Sequence, residues 1–220
     1  MNSSADVTVR KLPPERAAEA GRLLATSHAG YPVFRSLLPN PRTRQRLLCR
    51  FMGAAARDAA SHAHALMALN GDAIVGVALW MSPGTFPLSG GRKARMAPAL
   101  SASFAMAPRA MAALALAGSE LETAHEPGPC WYLEALGVHP DLQGCGIGRQ
   151  LMLPPLRLAD TEEIPCHLHT SDPQNIAYYE RFGFHTVDTA TVVVGDEIRY
   201  YGMTRRPEEA VAADGSLPQI

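Results

Sequence analysis

The sequence has few of the features that would place it among membrane, secreted or nucleic-acid-binding proteins. Its four cysteines form no CxxC pair, which argues against a disulfide framework or a zinc site and predicts free thiols in a reducing compartment. No stretch approaches the roughly 20 apolar residues of a membrane span, and the N-terminus does not resemble a secretory signal. With 20 basic and 21 acidic residues the net charge is −1, so we expect no nucleic-acid or membrane partner and a cytoplasmic location.

The length and the hydropathy of the chain indicate one domain with a substantial core. The 220 residues are 47% hydrophobic, and no internal repeat divides them. We expect a single domain over residues 1–206 and a polar, disordered tail over 207–220.

Hydrophobic periodicity predicts alternating strands and helices. The predicted strands cover 7–11, the hairpin around Asn70-Gly71-Asp72, 131–138, 165–170, 187–194 and 199–204. One predicted helix begins near Pro13, and the others cover 42–60, 92–106, 108–123, 146–161 and 174–182. The helices over 92–106 and 108–123 lie in a helical insertion over 84–128. Residues 29–41 read as a loop or short turns. This order predicts an α/β protein with a mixed sheet.

A glycine loop follows the strand that begins at Trp131. The segment WYLEALGVHPDLQGCGIG runs from a strand into glycines that open a helix, where backbone N–H groups and the positive helix end can hold a pyrophosphate. A Rossmann dinucleotide site is the rival interpretation. It is disfavoured because that site needs an acidic residue at the end of the next strand, where this chain has Thr170.

Together with the later run NIAYYERFGF, this segment resembles the acetyl-coenzyme A site of the GNAT acyltransferase superfamily. The segments AGYPVFRSLLP, LMLPP and MTRRP extend the likeness to the puromycin N-acetyltransferase branch of that superfamily. The resemblance implies a twisted mixed sheet with two splayed parallel strands and helices on both faces. It also implies acetyl-coenzyme A as cosubstrate and acetyl transfer to the primary amine of a small molecule, such as an aminonucleoside antibiotic, and it allows a homodimer.

The resemblance also assigns residues to the cosubstrate. Backbone groups of the strand end and the loop would hold the acetyl-pantetheine arm and the pyrophosphate, with Asn175 as a further contact; the set is Leu136, Gly137, Val138, Gln143, Gly144, Cys145, Gly146, Ile147, Gly148 and Arg149. Cys145 stands where many members carry a basic or polar residue, so one phosphate contact is lost. Pro154 and Pro155 are expected to bend the helix that follows the loop.

Two ionisable side chains are the predicted catalytic groups. The resemblance makes Tyr179 the general acid that protonates the leaving thiolate, and its i, i+4 spacing from Asn175 places both on one helix face. Glu134 alternates with Tyr132 and Leu136, which predicts one shared strand face. Glu134 is either the general base, with a pKa raised by burial, or a carboxylate that only orients the acceptor amine or pairs with an arginine.

The acceptor pocket and the competing functions have weaker signals. Tyr31, by resemblance, and Tyr132 are predicted to contact the acceptor. His167 and His169 share a strand face, but no third ligand stands at a suitable spacing, so no metal is expected. No Ser or Cys is beside an evident His base, which favours direct attack in a ternary complex. A protein lysine or N-terminal acetyltransferase and a non-catalytic acyl-coenzyme A sensor are the alternatives.

Overall fold

The structure is a computed structural model that describes residues 7–124, 128–187, 192–194 and 198–207. Its strands are β1 (Val7–Lys11), β2 (His64–Asn70), β3 (Ala73–Met81), β4 (Trp131–Val138), β5 (Cys166–Thr170), β6 (His185–Thr186), β7 (Val192–Val194) and β8 (Ile198–Arg205). Its helices are α1 (Ala17–His28), α2 (Pro32–Leu37), α3 (Pro41–His62), α4 (Gly90–Met106), α5 (Pro108–Ala124), α6 (Ile147–Thr161) and α7 (Ile176–Glu180).

The strands form a mixed sheet in the order β1-β2-β3-β4-β5-β8-β6, and β7 pairs with β8. Pairing is antiparallel except between β4 and β5, which are joined by the crossover helix α6 and run parallel. The predicted fold class, an α/β protein with a mixed sheet, is confirmed.

Helices cover both faces of the sheet. On one face α1 and α3 supply Leu24 and Met52 to a core that includes Tyr132 of β4. On the other face α6 supplies Ile147 and Leu151 to a second core. Hydrophobic side chains at helical spacing therefore build each layer, as the periodicity of the sequence requires.

The splay that the resemblance implied lies between β4 and β5. These strands pair only from Trp131–Cys166 to Leu133–Leu168, although β4 continues to Val138 and β5 to Thr170. β4 stays paired with β3 up to Val138. The edge of β4 that faces β5 therefore has no ladder partner in the described chain after Leu133.

A β-bulge at Glu134 contradicts the predicted shared face of β4. Leu79 is opposite Ala135 and Trp80 is opposite Leu133, so Glu134 is the additional residue. The extra residue shifts the alternation: Tyr132 belongs to the core beneath α1 and α3, whereas Leu136 packs against the α6 core. The prediction that Leu136 shares the face of Tyr132 and Glu134 was wrong because regular alternation cannot contain a bulge.

The helical insertion lies between β3 and β4, as predicted, and consists of α4 and α5. α6 continues through Pro154 and Pro155 to Thr161. The region 29–41 contains the short helix α2, and the helix predicted over 174–182 is a 3₁₀ turn, Pro173–Asn175, followed by α7.

The predicted strand over 187–194 falls partly outside the described residues, and the predicted tail lies outside them after Pro207. Within the described ranges, every helix is too short or too polar to cross a bilayer.

Helices α1 and α3 cross closely at a pair of glycines. A Cβ built on Gly21 would lie 2.4 Å from the Cα of Gly53 and 2.5 Å from its N, distances that packed atoms do not reach. A Cβ on Gly53 would meet nothing within 4 Å. The crossing therefore requires a glycine at position 21 and not at position 53.

This asymmetry predicts opposite effects for two matched substitutions. Gly21→Ala should lower the free energy of unfolding by about 1–3 kcal/mol because the helices must separate. Gly53→Ala should raise it by about 0.5–1 kcal/mol through helix propensity alone. Urea denaturation of both variants measures these changes, and equal effects would contradict the close crossing.

Candidate functional site

A cavity of about 390 Å³ lies beside the point where β4 and β5 separate. Strand residues Tyr132 and Glu134 line one side, and α7 contributes Tyr179. Residues of the α1–α2 region, α3, α4 and α5 complete the wall. The cavity thus brings together five of the predicted site residues, Tyr31, Tyr132, Glu134, Leu136 and Tyr179.

Glu134 is a carboxylate without a partner on one of its oxygens. Its Oε2 is buried and accepts no hydrogen bond. The pKa of Glu134 is raised to about 7, chiefly by burial and also by charge repulsion from Asp58 and Glu122, and Arg92 opposes the rise. Because the pKa is near neutrality, this carboxyl group can both accept and release a proton there.

The charges that act on Glu134 form a buried ion pair between α3 and α4. Arg92 Nε lies 3.0 Å and 3.2 Å from the two carboxylate oxygens of Asp58, and the guanidinium also donates to the carbonyl of Thr85. The sequence interpretation missed this pair. Its signal was an aspartate among buried alanines on the apolar side of α3, next to Ala55 and Ala59.

Tyr179 is buried in the wall of the cavity. Burial holds the pKa of its phenol well above 10, and the neighbouring Tyr31 and Tyr178 raise it further. The hydroxyl therefore stays protonated at neutral pH, as a proton donor must. Its ring also packs at 6.1 Å from that of Phe184, which fixes it against the α6 side of the sheet.

Asn175 contacts residues of the cavity wall. Its Nδ2 donates to Tyr31 Oη at 3.0 Å and to Thr170 Oγ1 at 3.4 Å. Asn175 ends the 3₁₀ turn and is the N-cap of α7, with αR backbone angles, four residues before Tyr179. The two predicted residues Asn175 and Tyr31 thus meet, 144 positions apart in the chain.

Tyr132 is held in place by two neighbours that the sequence interpretation did not assign. Its ring stacks on that of Phe86 with a centroid distance of 3.8 Å, and its Oη lies 3.2 Å from His169 Nδ1. His167, on the same strand, lies 2.8 Å from Thr204 Oγ1. Both histidines thus have hydrogen-bond partners, and no metal-binding cluster of His, Cys, Asp or Glu occurs among the described residues.

One Ser–His pair does occur, contrary to the expectation from sequence. Ser27 Oγ lies 2.9 Å from His28 Nδ1, which also lies 2.8 Å from the carbonyl of Leu24. A ring nitrogen that bonds a carbonyl must carry the proton, so Nδ1 cannot accept one from Ser27. Burial lowers the pKa of His28 to about 4, which leaves the ring neutral. This pair therefore lacks the chemistry of an activated nucleophile.

The glycine loop, residues 143–148, does not line the cavity; it follows the C-terminal end of β4, and we call the stretch from the cavity along β4 to this loop the cleft. Gly144 and Gly146 have φ values of 77° and 78°, and Gly146 is the N-cap of α6. The first N–H groups of a helix have no intrahelical partner, and an anion can accept from them. Gln143, Cys145 and Arg149 are exposed around this turn.

Strand β4 leads from the cavity to the loop. Leu136 lines the cavity, and Gly137 packs so closely on α1 that a Cβ would lie 2.3 Å from Ser27 Oγ. The carbonyl of Val138 accepts from Gln143 Nε2 at 3.3 Å. The predicted cosubstrate residues of β4 therefore connect the two ends of the cleft.

Tyr178 lies between these two ends and was not assigned from sequence. Its hydroxyl is buried without a hydrogen-bond partner, and burial raises its pKa to about 12. A Cβ on Gly148 would lie 2.5 Å from this oxygen and 3.8 Å from Val138 Cγ2. The lack of a side chain at Gly148 thus allows the unpaired hydroxyl of Tyr178 to approach the glycine loop.

Comparison with known proteins identifies the family to which this chain is similar. The sequence profile described as "Acetyltransferase (GNAT) family" matches residues 31–184. An uncharacterized N-acetyltransferase, C550.08, of Schizosaccharomyces pombe is 41% identical over 54 residues, which are 24% of this chain and 22% of that protein. The chain thus matches about a fifth of the length of this curated relative.

Two solved structures share the fold. One is the histone acetyltransferase HPA2 and related acetyltransferase of Corynebacterium glutamicum, with a TM-score of 0.62 and 17% identity over 98% of this chain and 99% of that one. The other is the PaiA N-acetyltransferase of Thermoplasma acidophilum in complex with coenzyme A, with a TM-score of 0.54 and 12% identity over 91% and 98%. Since the family profile matches more than half of its residues, the chain belongs to the GNAT acetyltransferase family.

Proposed function

We propose that this chain transfers the acetyl group of acetyl-coenzyme A to the primary amine of a small molecule by direct attack in a ternary complex. The observation that carries the proposal is the joint placement of Glu134 and Tyr179 in one cavity beside the separation of β4 and β5. One group has a pKa near neutrality and the other stays protonated. Acetyl transfer to an ammonium needs this pair, one to remove a proton and one to supply one.

The chain's own residues fit the cosubstrate. The unpaired edge of β4 after Leu133 offers backbone groups to an extended amide chain, and the turn from Gln143 to Gly148 offers N–H groups to a pyrophosphate. The unpartnered hydroxyl of Tyr178 supports a polar ligand between them. When bound, acetyl-coenzyme A supplies an activated thioester carbonyl.

Glu134 is proposed as the proton acceptor. An ammonium in the cavity can donate to its unpaired Oε2, and the raised pKa lets the carboxylate take the proton near neutral pH. Tyr132, fixed by Phe86 and His169, would orient the amine on the same side of the sheet. The cavity excludes water around both groups, which strengthens their interaction with the reacting atoms.

Tyr179 is proposed as the proton donor. Its Oη would donate a proton to the leaving sulfur as negative charge develops there, and the phenolate left behind would regain a proton from solvent. The burial that keeps the phenol protonated makes this role available over the whole neutral pH range.

The enclosure of the cavity favours a small acceptor over a protein. Helices α4 and α5 line it with Met96, Leu100, Met111 and Leu114, so that the carboxylate lies beneath a helical cover. The sequence likeness to the puromycin-type branch makes puromycin the first compound to test. A lysine peptide tests the alternative of protein acetylation. Binding of acetyl-coenzyme A without turnover on any amine is the result expected for a non-catalytic sensor.

Release of coenzyme A thiol distinguishes these functions. Purified protein is mixed with acetyl-coenzyme A and with puromycin, simple amines or a lysine peptide, and the protein's own cysteines are subtracted. Turnover with small amines supports the proposal, and turnover with the peptide alone overturns it in favour of protein acetylation. Binding of acetyl-coenzyme A without turnover supports the sensor.

Gly148 should contribute to coenzyme A binding. Gly148→Ala places a Cβ 2.5 Å from the hydroxyl of Tyr178, so the ring or the loop must shift, and we expect at least a tenfold (~1.4 kcal/mol) loss of affinity by isothermal titration calorimetry. Adding Tyr178→Phe removes the clashing oxygen and should restore part of the affinity. Cys145→Ala is the control, because only the backbone of this exposed residue is assigned to the site. Unchanged affinity of Gly148→Ala would contradict the assignment.

Glu134 should set the pH dependence of the reaction. Because its pKa is raised to about 7, the carboxylate is present above pH 7 and lost below it, so kcat/KM should fall about tenfold per pH unit below 7. Glu134→Gln should lower kcat/KM by about 10²–10⁴-fold and remove this inflection. Glu122→Gln removes another cavity carboxylate and should keep the inflection, shifted to lower pH because the charge of Glu122 contributes to the raised pKa of Glu134. An inflection that survives in Glu134→Gln would leave Glu134 as an orienting group.

Tyr179 should affect turnover without affecting binding. Tyr179→Phe removes the proton donor, and kcat should fall by about 10–1000-fold while the dissociation constant of acetyl-coenzyme A changes little. Tyr201→Phe removes a hydroxyl from β8 outside the cavity wall and is the matched control. Steady-state kinetics with one amine measures kcat for both variants, and an unchanged kcat in Tyr179→Phe would exclude Tyr179 from the mechanism.

A further inference from the structure

We propose that the acceptor is a monocationic primary amine whose ammonium is carried on an apolar alkyl or aryl body. The inference rests on the proposed function and adds the chemical class of the acceptor. It follows from how charge and apolar surface are distributed over the cavity wall, and its starting point is the buried, unpaired Oε2 of Glu134.

The charges of the cavity wall leave one carboxylate for a ligand. Lys93 and Glu122, which both line the wall, form an ion pair with each other. His28 is neutral because burial lowers its pKa to about 4. Glu134 is therefore the acidic group of the described wall that lacks a salt-bridge partner, and it matches a single ammonium.

The cavity wall around this carboxylate is mainly apolar and contains several aromatic rings. The rings and aliphatic chains that line it include Phe34, Phe51, Phe86, Met96, Met111 and Leu114. Phe86 is held parallel to Tyr132, so a flat face is present next to the reacting end. Methionine side chains adapt their shape to different apolar groups, so the wall can accommodate alkyl and aryl parts of different shapes.

The direction of the body follows from the position of the carboxylate. An ammonium on Glu134 lies on the sheet side, so the rest of the molecule extends towards α4 and α5. Phe104, 42% exposed and still part of the wall, marks the solvent side of this path. A volume of about 390 Å³ is within the range of small-molecule sites.

A second cation on the acceptor would have no partner along this path. A charge that leaves water for an apolar wall without a counter-ion loses hydration that nothing replaces. Polyamines and lysine peptides with additional charges should therefore be poor acceptors. The ion pair of Lys93 with Glu122 adds no net negative charge that could attract such a cation.

The test compares amines that differ only in the distal charge. The kcat/KM of hexylamine and of 1,6-diaminohexane is measured by thiol release at saturating acetyl-coenzyme A, with 2-phenylethylamine as an aryl member. We expect hexylamine to exceed the diamine by at least tenfold, which corresponds to ~1.4 kcal/mol. A diamine that reacts as well as hexylamine would overturn the inference and leave the proposed function intact.

A charge placed on the wall should change this preference. Phe104→Glu supplies a carboxylate near the solvent side of the path and should raise the diamine-to-monoamine ratio of kcat/KM at least threefold. Leu116→Glu introduces the same charge on α5 at a residue that is 64% exposed and outside the wall, and it should leave the ratio unchanged. Equal ratios in the two variants would contradict the assigned path.

A failure of the proposed function gives a different result. If no amine releases thiol, the proposed activity is wrong, and competition between the two amines is then measured by calorimetry on protein saturated with coenzyme A. Tighter binding of hexylamine would still support the acceptor class. Binding of hexylamine that is equal to or weaker than that of 1,6-diaminohexane would overturn the acceptor class.

Discussion

The site depends on where the parallel pairing of β4 and β5 ends. Leu133 is the last residue of β4 that pairs with β5, and the next residue, Glu134, is the bulged one in the pairing with β3. A single position thus ends the β5 ladder, turns a carboxylate into the cavity and opens the β4 edge towards the glycine loop. Because β3 continues to pair with β4 up to Val138, the open edge stays rigid. Rigid unpaired backbone is what an extended ligand needs in order to add hydrogen bonds without a large ordering cost.

The carboxylate at this position is unfavourable for the folded state and useful for the proposed chemistry. Burial and the charge of Asp58 both raise the pKa of Glu134, which means that its ionised form is disfavoured. Arg92 limits the effect, since it neutralises Asp58 and also acts directly on Glu134. Since repulsion by Asp58 is the larger of the two effects, the ion pair as a whole adds to the rise that burial produces, and Arg92 limits this addition. The resulting pKa of about 7 lies in the range where a proton can be exchanged with an amine.

The sequence was sufficient for the order of elements and for the glycine loop, because hydrophobic periodicity and glycine spacing are local signals. Tyr31, Tyr132, Glu134 and Tyr179 do share a cavity, as their predicted roles require. The bulge could not be predicted from alternation, since alternation assumes one residue per pleat, and Leu136 was therefore assigned to the wrong face. The contacts of Asp58 with Arg92 and of Asn175 with Tyr31 join residues that are distant in sequence. Their partners depend on how the helices pack, which no local pattern encodes.

The helical wall of the cavity is joined to α3 through this same ion pair. Helix α4 buries Arg92 and Ser103, and α5 buries Ala110, Met111 and Ala117, so most of both helices faces outward. The residues that would select an acceptor can thus differ without disturbing the strand that carries Glu134. Arg92 is the exception, because it both anchors α4 and acts on the pKa of Glu134. A shift of α4 by a bound acceptor would therefore alter the charge environment of the proposed base directly.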